Sequence, residues 1–99
     1  MEKSVFTPLY EHFRNMLVAM RTASKLTQRD LAKRLGREHS FVSRIELGER
    51  RLDVVEFYWV AKACGEDPAK AAASLMREFA RIEKGGRGPS TRGRKPPKG

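Results

Sequence analysis

The sequence predicts an all-α fold of five helices, and three observations carry that prediction. Apolar residues recur three and four positions apart through most of residues 8–83. Residue pairs that start helices recur at four places: Thr7-Pro8, Thr27 with Asp30, Asp53 with Glu56, and Asp67-Pro68. No stretch of useful length alternates apolar and polar residues as a strand would, and no segment repeats.

The first helix starts at Thr7-Pro8, because proline suits the first helical position, where its missing N–H would have no helical partner. It extends to about Ala23, with Leu9, Phe13, Leu17 and Met20 spaced to face a core. Residues 1–7 form a short arm before it.

The stretch Thr27–Gly48, TQRDLAKRLGREHSFVSRIELG, reads as two short helices joined by a tight turn. Thr27 caps the first of them, and Asp30 answers it three residues later. Leu31, Ala32 and Leu35 share one face. Gly36 sits where the chain must turn left-handed. Val42 and Ile45 of the next helix reach the same core, and Gly48 closes it. Held in this way, the second helix is a probe about the width of a DNA major groove.

A loop at residues 48–52 precedes the fourth helix. Asp53 caps it, Glu56 completes the box, and Phe57, Val60, Ala61 and Cys64 form its inward face. Gly65 ends it. Asp67-Pro68 starts the fifth helix, which runs to about Glu83 and is rich in alanine, a strong helix former. Ala72, Leu75, Phe79 and Ile82 make its stripe. From Lys84 the composition turns to Gly, Pro and positive charge with nothing to bury, so residues 84–99 read as a disordered basic tail.

Composition bounds the function. Ninety-nine residues suit one small domain. With 33% charged and 39% hydrophobic residues, the core is small and open to completion by a partner. The net charge of +9 and pI near 10.3 favour a polyanion. Six of the 21 Lys and Arg lie in residues 84–99, leaving fifteen against twelve acids before them. The folded part is thus only mildly basic at +3.

The lone Cys64 excludes an intramolecular disulfide and fits a reducing cytoplasm, with a small core residue as its expected role. No apolar run approaches the roughly 18 residues of a membrane span, and MEKSVFTP carries no signal-peptide core. His12 and His39 are far apart, and no cluster has metal-ligand spacing. No glycine-rich phosphate loop and no base beside a nucleophile is visible. No catalytic site, metal or cofactor is expected.

Thr27-Gln28, Leu31-Ala32, Leu35-Gly36, Val42-Ser43, Ile45-Glu46, Gly48 and the run Glu49-Arg50-Arg51-Leu52 together resemble the Cro/phage-repressor type of helix-turn-helix, the XRE family. The resemblance extends from Arg21 to about Pro68. It implies a five-helix, repressor-like DNA-binding domain that acts as a dimer on double-stranded DNA. The organisation that follows is an arm at 1–7, the helix-turn-helix domain at 8–66, a dimerising helix at 67–83 and the tail at 84–99.

The resemblance also implies roles. His39, Ser40, Ser43 and Arg44 become the base-reading positions. Arg44 is suited to guanine O6 and N7, where one two-armed pair gives about 1–3 kcal/mol of discrimination; its alternative is a phosphate or plain solvent. His39 stands where glutamine is common, and phosphate, a guanine acceptor or Gln28 are its open partners. Glu38 is expected to favour the helix N-terminus over reading cytosine. Thr27, Gln28, Arg37, Phe41, Arg50 and Arg51 are the expected phosphate neighbours. Arg21 and Glu46 are expected to pair structurally.

Surplus apolar surface predicts the dimer: Val55, Tyr58 and Trp59 on the fourth helix, with Leu75, Met76 and Phe79 on the fifth. The alternative is that the fifth helix folds back on its own domain. The tail reads either as a phosphate-tracking arm or as a solubilising terminus. The function these features predict is a dimeric cytoplasmic repressor on a palindromic operator. The alternative is a protein-interaction module on the same fold, binding a protein partner as an antitoxin does or antagonising another regulator.

Overall fold

The computed structural model describes residues 7–85. Within them the chain forms α1 (Pro8–Ala23), α2 (Gln28–Leu35), α3 (His39–Leu47), α4 (Val54–Ala63) and α5 (Pro68–Gly85), with no strand among the described residues. The expected arm, apart from Thr7, and the expected tail from residue 86 onward lie outside the described residues.

The caps form as their residue types dictate. The Thr7 side chain accepts from the Tyr10 amide. Thr27 with Asp30 and Asp53 with Glu56 make complete capping boxes, in which side chain and backbone satisfy each other's free groups. Gly36 and Gly48 end α2 and α3 at φ 70° and 82°, the left-handed region where a side chain would strain the backbone. Glu38 stands at the N-cap of α3 but makes no side-chain cap bond. The capping role expected of it is reduced to charge at a helix N-terminus.

One core gathers the inward faces. α1 supplies Tyr10, Phe13, Leu17 and Met20; α3 supplies Phe41, Val42 and Ile45; α4 supplies Phe57, Val60, Ala61 and Cys64. Leu26 and Leu52 close it from the loops. Phe13 meets both Tyr10 and Phe57 edge to face, with centroids 5.4 and 5.6 Å apart, a favoured aromatic geometry.

Two expectations about the core need correction. Leu9 is only half-buried, and Tyr10 takes the core position, because its hydroxyl accepts the buried Leu52 amide at 2.8 Å. A tyrosine with its oxygen satisfied buries as well as a leucine. Leu75 was expected at a dimer face but is 5% exposed, packed with Ala71 into the chain's own core. α5 therefore folds back on its domain along one face. It also runs past the expected end, so that Lys84 and Gly85 belong to the helix and not to the tail. A lysine in the last turn is favoured by the helix dipole.

Candidate nucleic-acid interface

α3 is built to be held from behind and exposed in front. Phe41, Val42 and Ile45 turn inward and are 3–5% exposed. His39 and Arg44 turn outward and are exposed, while Ser40 and Ser43 are half-buried at the same surface. The Ser43 hydroxyl donates to the Ser40 carbonyl at 3.4 Å, a long bond that a better acceptor can replace.

The C-terminal end of α3 is fixed through Glu46. Arg21 Nε donates to Oε2 at 2.7 Å and Arg21 Nη2 to Oε1 at 3.0 Å. Gln28 Nε2 donates to the same Oε1 at 2.8 Å. The pair is largely buried, with side chains 13% and 8% exposed, and the hydrogen bonds to Glu46 push Arg21 above its ordinary value. One carboxylate thus ties α1, α2 and α3 together. Gln28, expected at a phosphate, has its amide nitrogen engaged in this tie.

A further clasp was not legible in the sequence. Arg14 lies seven residues before Arg21, on the same face of α1. Its Nη1 donates to the Glu46 backbone carbonyl at 2.8 Å, capping the last turn of α3. Its Nε is buried and meets no acceptor among the described residues. The only sequence signal was that seven-residue spacing, which a solvated arginine shares.

A second cluster joins the turn before α3 to the loop after it. Phe41 was expected beside phosphate. It is instead buried, its ring covered by Arg37 at 3.9 Å and Arg50 at 4.9 Å. Arg50 donates through both Nη atoms to Glu56 at 3.0 and 2.9 Å, a two-armed pair that holds the Glu56 carboxyl below its ordinary value. Arg37 reaches the same carboxylate at 3.9 Å and keeps a side chain 40% exposed. Arg50 therefore acts as an internal tie, and Arg37 is the better placed of the two to meet an anion. Arg51 is exposed over the Tyr10 ring at 5.0 Å. Thr27 is exposed and spends its hydroxyl on the α2 cap.

The helix-turn-helix domain family matches residues 13–73, which span all of α2, α3 and α4. The solved structure of an XRE-family like protein from Pseudomonas syringae pv. tomato str. DC3000 superposes with a TM-score of 0.70 at 39% identity, covering 76% of this chain and 92% of that one. The chain belongs to the XRE-type helix-turn-helix family. No functionally curated protein matches it. Membership makes this XRE-type chain a DNA-binding regulator and α2–α3 its helix-turn-helix. No helix among the described residues is long and apolar enough to cross a membrane.

Of the remaining expected positions in this XRE-type domain, Val55, Tyr58 and Trp59 on α4 and Met76 on α5 are about half-exposed, at 48–55%. Phe79 is half-buried against the core. Val54, at 78% exposed, joins them unanticipated.

Proposed function

We propose that the chain is a sequence-specific transcriptional repressor that binds a two-fold symmetric DNA operator as a homodimer. The observation that carries the reading is the arrangement of α3. Its outward side presents His39, Ser40, Ser43 and Arg44, while Arg14, Arg21 and Gln28 hold its far end. Base reading needs such rigidity, because a hydrogen-bonding side chain discriminates bases only when its origin is fixed.

Arg37 and Arg51 are the phosphate contacts this geometry favours, with the backbone amides at the start of α2 beside them. The dimer reading rests on Val54, Val55, Tyr58, Trp59 and Met76, a set of exposed apolar side chains larger than isolated surface residues explain. The reading expects symmetric pairing through this set to bury it and to set two α3 helices about one DNA turn apart.

Selection of sites from a random DNA pool by the full-length protein tests the reading. The expected result is a two-fold symmetric motif, lost in Arg44→Ala and weakened in Ser40→Ala. Absence of any enriched motif from folded protein would overturn it. The second reading, a protein-interaction module, draws support from an open groove of about 460 Å³ between α2 and α4, lined by Arg34, Leu35, Tyr58, Trp59, Lys62 and Ala63. It predicts a protein partner whose binding survives Arg44→Ala.

A further inference from the structure

We propose that Leu47 reads the 5-methyl group of a thymine in the major groove. The proposal rests on the reading of α3 as the base-reading helix. It adds an apolar contact to a face otherwise assigned to polar groups.

Leu47 is 66% exposed, at the last position of α3. It follows Ser43 by four residues and Ser40 by seven, so the three share one face of the helix. That face lies opposite the buried stripe of Phe41, Val42 and Ile45. The other strongly exposed apolar side chains sit on α4 and α5, away from the reading helix. A single exposed leucine is ordinary on a protein surface. Here its place on the face singles it out.

Two features turn that place into a contact. Ser40 and Ser43 are short, so they leave room for the helix to approach the base edges closely. Leu47 lies about 6 Å further along the axis than Ser43 and is the largest apolar group on that line. The end of the helix that carries it is also held firmly. The preceding residue, Glu46, is gripped by Arg14, Arg21 and Gln28, and the following Gly48 amide donates to Ile45 at 3.1 Å. A side chain between two anchored residues starts from a fixed backbone position. The apolar group that the major groove offers is the thymine methyl.

The test replaces each thymine of the selected operator, one position at a time, by deoxyuridine, which lacks only that methyl. Wild-type protein should lose about three- to fivefold in affinity at one thymine of each half-site, the effect of one buried methyl-sized group. Leu47→Ala should bind the intact operator more weakly and no longer distinguish thymine from deoxyuridine there. Leu47→Met, which keeps an apolar side chain of similar volume, should retain most of the difference. At the same position, 5-methylcytosine binding better than cytosine would identify the methyl itself as the feature read.

The proposal fails if no thymine is sensitive, if the operator has no thymine in reach, or if Leu47→Ala keeps the full deoxyuridine effect. It also fails if sedimentation shows that Leu47→Ala binds weakly only because its dimer dissociates. Failure to select any motif overturns the parent reading and is distinct from a motif without methyl sensitivity.

Discussion

Glu56 divides its two oxygens among its neighbours. Oε1 accepts from the Asp53 amide at 3.0 Å and from Arg50 at 3.0 Å, and Oε2 accepts from Arg50 at 2.9 Å. These bonds hold the ionised form, with the Arg50 hydrogen bonds foremost, so the folded-state pKa is depressed. The sign follows from linkage. A carboxyl with a lowered folded pKa contributes stability at pH values above its unfolded pKa and loses it as pH falls through the folded one. The loss should therefore begin near the ordinary glutamate value of about 4.3 and continue downward. Glu56→Gln keeps an oxygen for the Asp53 amide but not the charge. It should be less stable at pH 7 and lose less on acidification than wild type, as read by urea unfolding at pH 7 and at pH 3.5. Parallel pH dependence in the two proteins would show that the Glu56 pairing carries none of the acid sensitivity.

At the scale of elements, the two glycines that end α2 and α3 are equivalent in backbone and unequal in surroundings. Gly36 has open space where a Cβ would stand, whereas a Cβ on Gly48 would lie 3.2 Å from Arg14 Nε. Gly36→Ala should cost about 1–2 kcal/mol, the left-handed penalty alone. Gly48→Ala should cost about 1 kcal/mol or more beyond that, because the crowded Arg14 side chain must move. In an Arg14→Ala background the excess should vanish while the left-handed penalty remains. Equal costs in the two wild-type-background variants would mean that Arg14 yields freely and does not clasp the end of α3. The proposed base reading depends on the same clasp, since Arg14 and Arg21 together fix the end of α3 that carries Leu47.

For the whole molecule, the net positive charge is concentrated in one stretch of sequence. Residues 86–99 carry Arg87, Arg92, Arg94, Lys95 and Lys98 without an acid, while the rest of the chain is only mildly basic. Removing residues 86–99 should leave operator preference intact, weaken binding to all DNA alike and flatten the dependence of log affinity on log salt. The slope should fall by about 0.9 for every phosphate that the segment neutralises in the intact protein. Titration of a labelled duplex at several salt concentrations checks it, and an unchanged slope removes the segment from binding. The dimer belongs to this scale too. Val55→Asp with Tyr58→Glu should give a folded monomer by sedimentation with weakened operator binding; a wild-type monomer at binding concentrations would remove the symmetric reading.

The five helices, their capped starts, the left-handed ends of α2 and α3 and the pairing of Arg21 with Glu46 were legible in the order of residues, whereas the end of α5 was not. Capping boxes, left-handed glycines and three-four apolar spacing are local signals, complete within a turn or two of chain, and the paired residues stood in a familiar motif. How side chains of similar type divide their work was settled by packing between helices. Phe41 and Leu75 read as surface candidates until the core buried them. Arg50 read like Arg37 until Glu56 took both its arms. Arg14 and Leu47 could not be singled out from their neighbours along the chain, because a clasp needs its acceptor from another helix and a contact surface needs the other faces of its own helix to be filled first.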